Sequence, residues 1–128
     1  MRIAVLGTGM VGDTIGSRLV ELGHQVMMGS RSKSNEKALA FVSKHKAGAS
    51  AGTFQEAAAF GEIIFNCTKG DASIDAIKLA GENINGKIII DVANPLDFSK
   101  GQPASLLPAL SNTNSLGEEI QKTFPKAK

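Results

Sequence analysis

The chain has 128 residues, room for one hydrophobic core and too little for two ordinary domains. Hydrophobic residues make up 42% and charged residues 20%, values that exclude an intrinsically disordered chain. A formal charge of +2 with scattered lysines and arginines argues against a nucleic-acid partner, and no apolar run approaches the roughly 18 residues of a membrane span.

The sequence passes from Met1-Arg2 straight into Ile3-Ala4-Val5-Leu6 without a signal-peptide cleavage pattern, so it reads as cytoplasmic. Cys67 is the single cysteine. An internal disulfide and a cysteine-based metal site are therefore ruled out. His24 and His45 stand far apart and read as surface residues rather than metal ligands, so no metal is expected.

In chain order, Ile3–Leu6 and Gln25–Met28 are short apolar runs bounded by turn signals, the pattern of strands buried on both faces. Between them Val11, Ile15, Leu19 and Leu22 recur at helical spacing, and Gly23 supplies the stop. A second helix is predicted from a Ser34 cap through Ala38, Leu39 and Val42 to about Lys44. A weak strand follows at Ala49–Gly52, and Thr53-Phe54-Gln55-Glu56 is a capping box opening a third helix. Ile63–Phe65 and Ile88–Ile90 are two more strands. The helix between them starts at Asp71 or Ser73, carries Ile74 and Ile77, and ends at Gly81.

Alternation of this kind predicts an α/β fold, a Rossmann-like doubly wound parallel sheet with helices on both faces. Beyond Asp91 the texture is loop-like, punctuated by Pro95, Gly101, Pro103 and Pro108. A capping box at Ser115-Leu116-Gly117-Glu118 then opens a last helix with Leu116, Ile120 and Phe124 on one face. A sixth strand would come next in a complete sheet, so the fold is expected to be short at its C-terminus. Residues 1–128 are thus expected to form a single NAD(P)-binding Rossmann domain, with a truncated form of a longer enzyme left open.

Gly7-Thr8-Gly9-Met10-Val11-Gly12 follows the first strand and opens the first helix, the setting that a G-x-G-x-x-G dinucleotide fingerprint requires. Gly7 serves a tight turn, Gly9 lets the backbone approach a pyrophosphate, and Gly12 allows close packing of helix on strand. The helix N-terminus and its free N–H groups then face the phosphates. A P-loop is excluded, because no G-x-x-x-x-G-K-[ST] occurs.

An NAD-binding domain commonly carries Asp or Glu at the end of its second strand, about twenty residues past the glycines. This chain has Gly29, Ser30 and Arg31 there, with no acid between Glu21 and Glu36. A 2′-phosphate would meet no like charge. Ser30 can donate a hydroxyl hydrogen bond, Arg31 can grip the phosphate with its planar fork, and Ser32 or Lys33 can add to the berth. NADP(H) is the expected cofactor.

Ligands in this architecture lie outside the carboxyl ends of the strands. Cys67 and Thr68 after the fourth strand, and Ala93-Asn94-Pro95 after the fifth, are expected to border the nicotinamide half. Thr68 can reach ribose or phosphate and Asn94 the carboxamide, although both also fit plain turn chemistry. Cys67 itself reads as a small buried hydrophobe rather than a nucleophile. No acid–base pair is evident and no catalytic residue is assigned, which suits hydride exchange between two organic redox cofactors.

Ile3 to Gly12, Gly23-His24-Gln25-Val26, Gly29-Ser30-Arg31, Asp91-Val92-Ala93-Asn94-Pro95 and Ser115-Leu116-Gly117-Glu118-Glu119 together resemble the NADP oxidoreductases that depend on a deazaflavin coenzyme. These are relatives of the reductase domain of six-transmembrane metalloreductases. The resemblance implies NADP(H) held by Thr8, Met10, Val11, Ser30 and Arg31, with Thr68 and the Ala93-Asn94-Pro95 region near the nicotinamide. It also implies a small-molecule redox acceptor, a deazaflavin or flavin, as second substrate. Members usually continue through a further strand and helices that help form the acceptor site and a homodimer. Two other readings stand beside it: a non-catalytic NADP(H)-binding or sensing module, and an imine or hydroxyacid reductase-like chain lacking its substrate domain.

Overall fold

A computed structural model describes residues 1–99, 104–111 and 113–128. The first strand, β1 (Arg2–Leu6), is buried at every position after Arg2 because both faces of the sheet around it are covered. It sits at the centre, between β2 (Gln25–Ser30) and β4 (Ile63–Asn66), with β3 (Ala49–Thr53) and β5 (Ile88–Asp91) outside them. Every pairing in this five-stranded sheet is parallel, in the order β3-β2-β1-β4-β5. The register aligns Leu6 with Gly29 and Asn66, and Asn66 with Asp91, so the carboxyl ends of the central strands finish level.

Two helices, α1 (Met10–Glu21) and α2 (Glu36–His45), pack on one face around Val5, Val26, Met28 and Phe41. The opposite face carries α3 (Phe54–Phe60), α4 (Ser73–Ala80) and α5 (Leu116–Thr123), around Leu6, Ala57, Ile64, Ile77, Leu116 and Ile120. The predicted alternation and the parallel sheet are both observed. At the end of α1 the Gly23 and His24 amides donate to Val20 and Leu19 carbonyls, the paired bonds of a Schellman stop. The box opening α3 is complete: Thr53 Oγ1 accepts from the Glu56 amide while Glu56 Oε2 accepts from the Thr53 amide.

Several local readings are corrected. The cap of α2 is Asn35, whose Oδ1 accepts from the Lys37 and Ala38 amides, whereas the Ser34 hydroxyl pairs with Ser32. At α5 the Ser115 hydroxyl accepts from the Glu118 amide, but the Ser115 amide donates to Asn114 Oδ1, so the box is one-sided. His45 is half-buried, its Nε2 2.7 Å from Ser17 Oγ and its ring 4.9 Å from that of Phe41, tying α2 to α1. The stretch after Asp91 is more than loop: β6 (Leu96–Asp97) and β7 (Ser105–Leu106) form a short antiparallel hairpin, followed by a 3₁₀ turn at Pro108–Leu110. The punctuation at Gly101 and Pro103 lies outside the described residues.

The last residues flank β5. The Gly86 amide donates to the Lys126 carbonyl, Lys128 to Lys87, and Ile89 to Lys128, a parallel run where a sixth strand would lie. Among the described residues no helix is long and apolar enough to cross a membrane.

Candidate nucleotide-binding site

The turn from β1 into α1 is built by glycine for two different reasons. Gly7 has φ +110°, and a Cβ there would stand 2.5 Å from the Cys67 carbonyl oxygen. Gly12 is buried with any Cβ driven onto the Gly7 carbonyl. Those two glycines are explained by the protein's own packing. Gly9 is not: its φ is −75°, and a Cβ there would meet nothing within 4 Å. Gly9 occupies the cap position of α1 without a side-chain cap, and the first-turn N–H groups behind it have no carbonyl within the helix to bond.

Above this turn opens a hollow of about 280 Å³ lined by Gly7, Thr8, Gly9, Arg31, Lys37, Phe54, Cys67, Thr68, Lys69, Ala72 and Ala76. The structure therefore brings together six of the residues singled out from sequence: Gly7, Thr8, Gly9, Arg31, Cys67 and Thr68. Three cations, Arg31, Lys37 and Lys69, border the hollow, and none of their side chains has a hydrogen-bond or ion-pair partner among the described residues. Among the described residues no carboxylate lines it. Unpaired like charges gathered at one concavity favour an anionic guest.

The remaining predicted residues lie around this hollow. Ser30 is buried and its hydroxyl donates to the Ser32 carbonyl, which folds the turn that presents Arg31. Ser32 accepts from the Ser34 and Asn35 amides, leaving Arg31, Ser32 and Lys33 exposed at the rim of β2. Met10 is 85% exposed and borders a neighbouring hollow of about 360 Å³ between α1 and α2; Val11 is exposed beside it. Ala93, Asn94 and Pro95 continue from β5, with Pro95 buried and its carbonyl accepting from the Leu107 amide. They do not line the hollow that holds Arg31 and Thr68.

Cys67 is buried below the glycine turn, and desolvation, reinforced by the Asp91 charge, raises its thiol pKa to about 11. It stays protonated at neutral pH and is no nucleophile.

Lys37, Phe54, Lys69, Ala72 and Ala76 were not singled out from sequence. For Lys37 a signal exists: a lysine in the first turn of a helix faces the positive end of the dipole, an unfavourable place that an anion would offset. For Lys69 and the apolar trio no local signal exists.

The strand order, the glycine turn at the carboxyl edge and the cation-bordered hollow define a Rossmann-like α/β domain of the nucleotide-binding kind. The chain belongs to the family described as NADP oxidoreductase coenzyme F420-dependent, whose model matches residues 2–95. A crystal structure described as an F420-dependent NADP-reductase from Arthrobacter sp. FB24 is 45% identical, with a TM-score of 0.87 over 98% of this chain. This chain spans 59% of that protein's length. More distant likenesses show the fold alone. Streptomyces aurantiacus imine reductase is 22% identical with a TM-score of 0.62, over 73% of this chain and 32% of that one. Plasmodium falciparum pyrroline carboxylate reductase, solved with NADP bound, is 15% identical with a TM-score of 0.57, over 83% and 40%. No curated protein matches the chain.

Proposed function

We propose that the chain binds NADP(H) in the hollow above the glycine turn and serves as the cofactor-binding part of an oxidoreductase whose hydride partner is a deazaflavin or flavin. The observation that carries this reading is the set of three unpaired cations, with no acid among them, around a glycine at position 9 that nothing inside the protein requires. Gly9 lets a diphosphate approach the α1 backbone, whose first-turn N–H groups donate to it. Arg31 and Lys37 take the 2′-phosphate, Arg31 through its planar fork and Lys37 as a point charge. Ala72, backed by the buried Phe54 and Ala76, gives the hollow an apolar wall for the adenine, and Thr68 meets the ribose.

Bound NADPH supplies a hydride donor, and the chain contributes orientation and charge rather than proton transfer. That division agrees with a hollow whose one thiol stays protonated at neutral pH. The single buried cysteine also suits a reducing cytoplasm.

Titration calorimetry with NADPH and NADH tests the cofactor, and stopped-flow oxidation of bound NADPH by deazaflavin and flavin acceptors tests the reaction. NADPH binding well above NADH with hydride transfer to one acceptor is expected. Equal binding of the two dinucleotides, or none, overturns the assignment. Tight NADPH binding without turnover on any acceptor points to the non-catalytic module.

A further inference from the structure

Asn66, at the end of β4, is fully buried, and both ends of its amide are engaged. Its Nδ2 donates to Asp91 Oδ1 at 2.9 Å, and its Oδ1 accepts from Thr68 Oγ1 at 2.6 Å and from the Thr68 amide at 3.4 Å. Thr68 Oγ1 lies 2.7 Å from the hydroxyl of Ser73, also fully buried, which reaches the Lys69 carbonyl at 3.0 Å. An ionised carboxylate only accepts, so Asp91 forces the Asn66 amide to turn its oxygen toward Thr68. Thr68 must then spend its one hydroxyl proton inward, on Asn66, so at the 2.7 Å contact only Ser73 can donate, its single proton going either to Thr68 or to the Lys69 carbonyl.

We infer that Asp91 is a positioning residue for the nucleotide site: through Asn66 it holds Thr68 and the Lys69 turn against the hollow, with the Thr68 oxygen left as an acceptor. Asp91 does not line that hollow; it borders a separate one of about 130 Å³ beside α5, so its influence on a ligand runs through Asn66. The same Oδ1 also accepts from the Ala93 amide at 3.1 Å, joining the loops after β4 and β5 to one oxygen. One oxygen in this place is sufficient. Asn can supply it as well as Asp, whereas Ala leaves a buried Asn66 donor unsatisfied and the amide free to turn away from Thr68.

This inference rests on the NADP(H) reading, and the test separates the two. NADPH dissociation constants and amide hydrogen exchange of the ligand-free chain are compared for wild type, Asp91→Ala, Asp91→Asn, Thr68→Val and the Asp91→Ala/Thr68→Val double variant. Asp91→Ala is expected to weaken NADPH about tenfold and to speed exchange of the Thr68 amide, with Asp91→Asn within about twofold of wild type. The double variant is expected to bind no more weakly than Thr68→Val alone, because both act at one contact. If Asp91→Ala does not fold, Asp91→Ser replaces it, since a serine hydroxyl serves the local Ala93 amide but is too short for Asn66. Unchanged Thr68 exchange, losses that multiply, or an Asn variant as weak as Ala each overturn the proposal. Wild type that fails to bind NADPH sinks the cofactor reading, while Thr68 exchange still decides the relay.

Discussion

Gly70, in the turn after β4, lies against Pro95 in the loop after β5: a Cβ on Gly70 would stand 2.5 Å from Pro95 Cα, with the Asn94 carbonyl closer still. The two loops at the carboxyl edge therefore meet backbone on backbone. Gly70→Ala has no flexible side chain to push aside and must part the loops, so it is expected to destabilise the fold by about 1–3 kcal/mol. A urea midpoint equal to that of wild type would contradict the contact.

Gly9 and Gly12 should separate ligand binding from architecture. Gly9→Ala places its methyl in open space and is expected to change stability by less than ~1 kcal/mol while weakening NADPH at least about tenfold. Gly12→Ala drives its methyl onto the Gly7 carbonyl and should lower the melting temperature outright. Thermal melts and NADPH titrations on the two variants make the comparison. Intact NADPH affinity in Gly9→Ala would leave that glycine without a ligand-based reason.

With Arg31 on the 2′-phosphate as proposed, Arg31→Ala removes a charge-assisted hydrogen bond of about 1.5–3 kcal/mol, so NADPH affinity should fall roughly ten- to a hundred-fold. NADH, which lacks the 2′-phosphate, should change little. Lys37→Ala should act in the same direction, and adding salt should shrink the difference between the two cofactors. Competition binding with both dinucleotides measures this; equal losses would place Arg31 away from the phosphate.

Much of this arrangement was legible in sequence, for local reasons. The apolar run Ile3–Leu6, the glycines that follow and the 3.6-residue period of α1 each declare themselves within one short window. Arg31 declared itself through the missing acid after β2. What escaped depended on neighbours brought together by folding. Ser34 and Asn35 can both cap a helix, and the choice fell to Asn35 because Ser34 is engaged by Ser32. Leu96–Asp97 and Ser105–Leu106 are two-residue strands, too short to carry a period, and exist only as a pair. Lys69 reads as an ordinary surface lysine until the β4 turn faces the hollow, and Lys37, though ill-placed for the α2 dipole, is given a shared site with it only by the fold. Asn66 and Asp91 are separated by 25 residues, and only the parallel register sets them side by side.

The Cys67 thiol, raised to about 11 mainly by burial, should react slowly with disulfide reagents at pH 8 and speed up only as pH approaches that value. An acid whose pKa is higher when folded stabilises the fold fully below its unfolded value of 9.0 and loses that contribution as pH climbs through about 11. Denaturation midpoints should therefore decline across that alkaline window, and Cys67→Ala should decline less. Rapid labelling of the native protein at pH 8 would show the thiol to be accessible.

Lys126 to Lys128 occupy the outer side of β5, whose Ile88 and Ile90 are 48% and 38% exposed. Lys126 and Lys128 thus pair with Gly86, Lys87 and Ile89, covering the start of a hydrogen-bonding edge that carries two part-exposed isoleucines. Trimming them would turn β5 into an open, sticky border of the kind along which sheets from different molecules join. Light scattering should then rise with protein concentration for a variant cut after Pro125, because the Lys126 and Lys128 backbone no longer covers Gly86, Lys87 and Ile89.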